Sequence, residues 1–513
     1  MAKKLGISRR NFLKSTAITA GAAVAIGSGI KSVEACTLPE KWDRTVDVVV
    51  IGAGGAGMMA AIQAHDAGAE VLVIDKGTSV FNSATRMAGG VFSAAGTKIQ
   101  KEEGIKDSPE DHARDVMAYG DYMNYPDIVK VWTENCGVVF DWMCDHGLAE
   151  FRLSKDWVGH NNVRAAWQNS YSGRDYVEVS YKVLQEKKIN LEYSTSVARY
   201  FYDEESARVV GIEAAVGRDK FTVRAKKGVI LASGGFTSNS KLLDSWVPSV
   251  AGVVIVSGCG TNDGSAMMMA VRDLGIPLTH MQYIAAYPWG MPTGGRYGNT
   301  CRFFFFMDEG GILVNKKGDR FVNEELGVTK ITNELPKQEG KIHFLLVDHT
   351  MWTETLKKYD LGKALFTHPA WTKEKLDEEL KKGQVLFTAD TLENVSKLAG
   401  VPPEELAKTV EKYNKAVEDK NDAEFGRQKF SRGIKDGPFY MVKMTFWSPI
   451  SLGGIRVNTD MQVKDSDGNG IKGLYGAGEV VGGVHGTSYL GGNSISWSHT
   501  SGYLAGKNVV KQG

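Results

Sequence analysis

Gly52-Ala53-Gly54-Gly55-Ala56-Gly57 has the spacing G-x-G-x-x-G. Residues without side chains at these positions let backbone N–H groups close on a pyrophosphate at a helix N-terminus, where the helix dipole favours an anion. Asp75, followed by Lys76, stands roughly 20 residues further on, where an acid accepts a hydrogen bond from a ribose hydroxyl. A tight strand-to-helix turn would need the glycines but not the acid. Together they predict a dinucleotide site.

The elements around these residues fit that chemistry. The apolar run 47–51 reads as a buried strand, 58–67 as a helix and 69–75 as a second buried strand, a βαβ unit. Further on, 209–216 and 221–225 predict a hairpin, and 228–232 another buried strand ahead of Ser233-Gly234-Gly235-Phe236. From about Tyr283 to Thr445 aromatics become dense, and charge-patterned helical stretches appear at 392–398 and 403–418. The first texture then returns in Gly473-Leu474-Tyr475-Gly476-Ala477-Gly478-Glu479 and a helix beginning near Ser494.

One dinucleotide unit is legible. The glycines at 258–264 do not repeat the motif, and no acid follows them at the right distance. That predicts bound FAD, with electrons arriving from a separate protein rather than from a second, nicotinamide-binding unit. The expected fold is α/β: a Rossmann-type FAD-binding domain (46–282 and 450–513) interrupted by an inserted second domain (283–449).

Composition narrows the function. A net charge of +1 offers no field for nucleic acid. The 59 glycines exceed the usual ~7% share without a collagen-like period. The five cysteines form no C-x-x-C pair and no C-x-x-C-H, so neither a zinc or iron–sulfur site nor attached c-type haem is expected, and no metal constellation is present. At the start, Ser8-Arg9-Arg10-Asn11-Phe12-Leu13-Lys14, a weak apolar run to Ile30 and Val33-Glu34-Ala35 predict a cleaved twin-arginine export signal over residues 1–35, and hence a periplasmic protein. Cys36 raises lipidation, which Glu34 fits poorly. No membrane span is expected.

With Gly52–Gly57 and Asp75, the segments Ser83-Ala84-Thr85-Arg86-Met87-Ala88-Gly89-Gly90, Ala232–Phe236, Asn262-Asp263-Gly264, Gly318–Glu324 and 473–494 occur in the order found in the fumarate reductase/succinate dehydrogenase flavoprotein family, which this chain resembles from about residue 46 to 510. The resemblance implies that 46–282 with 450–513 is a doubly wound Rossmann-type FAD-binding domain and that 283–449 is an α+β capping domain over the flavin. It implies FAD contacts by Ser83, Thr85, Gly89, Gly90, Gly234, Gly235, Asp263, Gly264, Glu479, His485, Asn493, Ser494 and Ile495. Ala84 stands where membrane-bound members carry a flavin-linking His, which implies non-covalent FAD. His160 is expected to be structural or on the surface.

The departures from fumarate reductases concern the substrate. Tyr489 takes the place of the family's carboxylate-binding Arg, and Val328 that of its proton-donating Arg, with Lys330 the next cation. Tyr287-Pro288-Trp289 replaces His-Pro-Thr, Phe303-Phe304 replaces Thr-Glu, and Pro449 falls near a family His. A dicarboxylate needs charge-assisted donors at both ends, so fumarate is a poor candidate. A small α,β-unsaturated monocarboxylate of the methacrylate or acrylate type fits, held by Arg296 or Arg302 and reduced with electrons from a separate c-type cytochrome. Tyr287, Tyr297, Lys330 and Tyr489 are candidate acids or polarisers. The run Phe303–Phe306 is expected to be mostly core, with alternate members facing the site if it is a strand. The alternatives are an enone or 3-ketosteroid enzyme using Tyr489 to polarise a ketone, and a non-catalytic FAD-binding electron carrier.

Overall fold

In the computed structural model, strand β1 (Arg44–Ile51) has Val48, Val49 and Val50 fully buried, the signature of a central strand covered on both faces. The residues described are 38–154, 159–250, 255–256, 259–293, 299–326, 328–367 and 370–512, with backbone alone for 255–256 and 328–330. The predicted export signal therefore lies outside the described residues.

Helix α1 (Gly55–Asp66) and strand β2 (Val71–Ile74) follow β1. The chain continues through β3 (Asn190–Glu192), β4 (Arg208–Val216), β5 (Asp219–Leu231), β6 (Ile284–Met291), a short helix α2 (Phe304–Met307), β7 (His343–Val347), β8 (Phe439–Ser451), β9 (Gly470–Gly476) and helix α3 (Asn493–Gln512). The first sheet has eight strands in the order Gln462–Lys464, β9, β4, β5, β1, β2, β3, with Ser196–Asp203 also on β4. Its centre is parallel: β1 pairs with β2 and β5, and β9 with β5. Ile51 is level with Ile74 and Leu231, and Leu231 with Gly476. The carboxyl ends of four parallel strands are thus flush. Gly52, Asp75, Ala232 and Ala477 leave the sheet along one edge, the place where α/β sheets bind ligands.

The hairpin arm at 221–225 and the separate strand at 228–232 prove to be one 13-residue strand, β5. Lys226 and Lys227 between them do not end the strand, because a strand ladder uses backbone groups alone. Lys226 turns outward to Asp47 at 3.1 Å.

A second sheet runs Ile312–Asn315, β7, β8, β6, Asn299–Cys301, Phe366–Thr367, with β8 pairing antiparallel to β6 and β7. It carries its own apolar core, drawn from residues between Ala285 and Leu452. Beneath the first sheet's core, α3 crosses α1 at backbone contact: a Cβ on Gly502 would lie 2.2 Å from the Ala56 carbonyl oxygen. Among the described residues no helix is long and apolar enough to cross a membrane.

Candidate active site

Loops from both sheets enclose one cavity of about 1910 Å³, counting its open mouth. The first wall is the G-x-G-x-x-G turn. Gly52 has φ +105°, and a Cβ there would lie 2.4 Å from the Ala232 carbonyl oxygen, so only glycine fits. Gly57 admits the Gly52 carbonyl oxygen to the space of its missing side chain, 1.8 Å from an ideal Cβ. The N-terminus of α1 opens on this turn with neither a side-chain cap nor an acid in its first turn. Gly55 N–H donates to Thr85 Oγ1 at 3.0 Å. Ser83 caps the following turn through Arg86 N–H.

Two carboxylates flank this wall. Asp75 accepts from Ala53 N–H and Gly77 N–H, both at 2.6 Å. Glu479 accepts from Ser451 N–H at 2.8 Å, Ser451 Oγ at 3.0 Å and Asn262 Nδ2 at 3.2 Å. Burial raises both above the usual carboxylate range, against these hydrogen bonds. Lys76 is paired with Asp263 at 2.5 Å. Ser233 Oγ, Asn262 Oδ1 and His485 Nδ1 are buried on cavity-lining residues without a partner among the described residues. Buried polar atoms rarely stay unpaired. Unpaired polar atoms, an uncapped helix N-terminus and hydroxyl-accepting carboxylates at two strand ends together fit FAD.

The α3 N-terminus forms the next wall. Tyr489 Oη accepts from Gly492 N–H at 2.9 Å and lies 3.2 Å from Ser494 Oγ. His160 Nε2 donates to the Gly491 carbonyl at 2.9 Å, and His112 Nε2 lies 3.1 Å from Asn493 Oδ1. Behind them Arg164 is buried between Asp107 at 2.7 Å and Asp115 at 2.6 Å. His160 is thus buried rather than on the surface. Burial pulls both His160 and His485 down to about 4, so both imidazoles are neutral.

The second sheet supplies an aromatic wall. Tyr287 of β6 faces Trp447 of β8 across the ladder, with ring centroids 5.4 Å apart. Trp289, two residues on, points the same way and stacks on Tyr287 at 4.5 Å. Phe304 of α2 comes within 5.5 Å of Trp289. Arg302, just before α2, reaches the Ala88-Gly89 segment: a Cβ on Gly89 would lie 3.5 Å from its Nη2. Arg302 is 8% exposed, and its guanidinium has no hydrogen-bond or ion-pair partner among the described residues. Burial pulls it down to about 10. Burial, then Tyr489 and Tyr119, hold the Tyr287 phenol well above its ordinary value, while Arg302 acts in the opposite sense.

Of the cofactor residues expected from sequence, all line the cavity except Gly57, Gly90, Gly235 and Asn493. Gly90 meets the Ser172 backbone, and Gly235 meets Ser451 and Glu479. Tyr287, Arg302 and Tyr489 line the cavity. Arg296 and Tyr297 lie outside the described residues. Lys330 sits on helix Val328–Glu334, its side chain not described. The run Phe303–Phe306 is not a strand. It folds into a helical turn in which Phe303 and Phe306 enter the core, Phe305 packs on Tyr359 and Phe304 lines the cavity. Helical rather than alternate spacing makes that division. Trp447, Trp167 and Ser451 also line the cavity and were not singled out from sequence. The apolar run of β8 gives no local signal for Trp447, and only the cross-strand register with Tyr287 reveals it.

An FAD-binding domain family model matches residues 47–495. The chain is 33% identical to the fumarate reductase (cytochrome) of Shewanella frigidimarina over 91% of this chain and 77% of that one. It is 29% identical to the acrylate reductase flavoprotein subunit of Shewanella woodyi over the full length of both. Among solved structures, the open conformation of a flavocytochrome c3 fumarate reductase superposes with a TM-score of 0.76 at 27% identity, covering 100% of this chain and 83% of that one. The chain therefore belongs to the FAD-binding domain family that includes the fumarate reductase flavoproteins, and it is an FAD-dependent oxidoreductase.

Proposed function

We propose that this protein reduces the activated C=C bond of an α,β-unsaturated monocarboxylate. The observation that carries this is Arg302: a buried, unpaired guanidinium on the wall of the flavin cavity. Leaving a buried cation without an anion is costly. Among the described lining residues the cations are Lys76 and Arg302, and Lys76 is already neutralised by Asp263. One free cation among the described lining residues matches one carboxylate. A dicarboxylate would set its second charge against Tyr287, Trp289 and Trp447, and a neutral enone would leave Arg302 uncompensated.

In this reading FAD is held non-covalently, because Ala84 has no nucleophile, and residues 283–449 cap it. Reduced FAD supplies the hydride. Arg302 draws electron density toward the carboxylate, which makes the β-carbon electrophilic. Tyr287, held neutral by burial, would hand a proton to the α-carbon, with Lys330 and Tyr297 as the other candidate donors. Tyr489 accepts the Gly492 N–H and so keeps its own proton to offer to Ser494 or to substrate. Asp75 and Glu479 hold FAD hydroxyls. The twin-arginine segment supports export to the periplasm, and the absence of a second dinucleotide motif supports a separate c-type cytochrome as electron donor.

The test is reoxidation of chemically reduced, FAD-loaded protein without oxygen. A monocarboxylate enoate should bleach the reduced state in turnover time, fumarate and an enone steroid far more slowly, and NADH should not reduce the flavin. Fast turnover with fumarate or the steroid would refute the reading.

A further inference from the structure

We propose that the substrate is an aryl-substituted enoate, a 3-arylacrylate, rather than a short alkyl one. This rests on the reading of Arg302 as the carboxylate anchor. The cavity wall contributed by the second sheet is aromatic: Tyr287 and Trp289 are stacked at 12°, Trp447 is 5.4 and 6.1 Å from them, and Phe304 is 5.5 Å from Trp289. All four line the same cavity as Arg302. Trp289 and Trp447 are 4% and 7% exposed, so little of this wall is wet.

Two chemistries therefore meet in one pocket: a cation without an ion-pair partner among the described residues, and beside it a wall of ring faces and edges that carry no charge. A planar aromatic ring matches such a wall, because ring pairs favour offset or edge-on contacts with centroids 4.5–7 Å apart. A methyl or hydrogen in that place would forgo those ring contacts. The carboxylate on Arg302 and an aryl ring among Tyr287, Trp289 and Trp447 would set the C=C bond between them. Hydride from reduced FAD forms the new C–H bond at the aryl-bearing β-carbon, and the π pair takes a proton at the α-carbon. The product is a 3-arylpropanoate, and the FAD is left oxidised.

The experiment compares kcat/KM of the reduced holoenzyme for cinnamate, acrylate, methacrylate, fumarate and benzylideneacetone, and repeats the set with Trp289→Leu. Cinnamate should exceed acrylate and methacrylate by at least about 100-fold, with benzylideneacetone and fumarate slower still. Trp289→Leu, with an unchanged flavin spectrum as the folding control, should shrink the cinnamate-to-acrylate ratio by about 10-fold. Acrylate or methacrylate matching cinnamate, or an unchanged ratio in the variant, would overturn the aryl assignment and leave the monocarboxylate reading standing. Benzylideneacetone or fumarate matching cinnamate, or no turnover with any monocarboxylate, would overturn that reading itself.

Discussion

The guanidinium of Arg302, which follows strand Asn299–Cys301 of the second sheet, rests against Gly89, in the link between helix Ala84–Met87 and strand Val91–Ser93: an ideal Cβ on Gly89 would lie 3.5 Å from Nη2. That is ordinary van der Waals distance for one carbon and too little for a branched side chain. Gly89→Val should displace the guanidinium and raise KM for the enoate about 10-fold. Steady-state kinetics at matched flavin content checks this.

Tyr489 ties the loop before α3 to the helix itself. Tyr489→Phe leaves Gly492 N–H without its acceptor, a loss of about 1–3 kcal/mol. Thermal unfolding should show a lower Tm. Turnover should slow about 10-fold while FAD stays bound, as read by the retained flavin absorbance.

Glu479 accepts three hydrogen bonds across the seam between β8 and the Asn262 segment. Glu479→Gln replaces one acceptor oxygen with a donor facing Ser451 or Asn262. FAD should bind on the order of 10-fold more weakly, and equilibrium titration of the apoprotein with FAD reads it.

The buried histidines set an acid limit. His160 is held at about 4 against an ordinary 6.5. Below pH 6.5 the unfolded chain takes up a proton that the folded chain refuses, so stability is complete above 6.5 and falls as pH drops toward 4. Asp75 and Glu479, raised by burial, act in the opposite sense and make the overall slope shallower. The difference between wild type and His160→Gln isolates the histidine. From pH 7 to pH 5 wild type should lose about 2 kcal/mol more than the variant, measured by denaturant unfolding at the two pH values.

The cofactor half of the site was legible because its chemistry is local. Gly52 to Gly57 and Asp75 lie within one βαβ unit, and the turn at Gly52 forbids any side chain. The far ends of that half were legible as segments, but not for what joins them: Ser451 N–H and Oγ reach Glu479 from β8, which no spacing announces. The substrate half is a product of register. Tyr287 meets Trp447 only because β6 pairs antiparallel with β8. Phe304 is the member of its run on the cavity because the run coils into a helical turn instead of extending. Arg302 was visible as a candidate anchor, but its isolation from every acid among the described residues appears only once the chain is folded.

Arg302 as the group that holds the substrate carboxylate is tested by stopped-flow reoxidation of reduced wild type and Arg302→Gln by an enoate, at equal FAD occupancy. The variant should lose at least about 100-fold in kcat/KM, carried mainly by KM. An Arg302→Gln enzyme that reoxidises at the wild-type rate with the wild-type KM would contradict it.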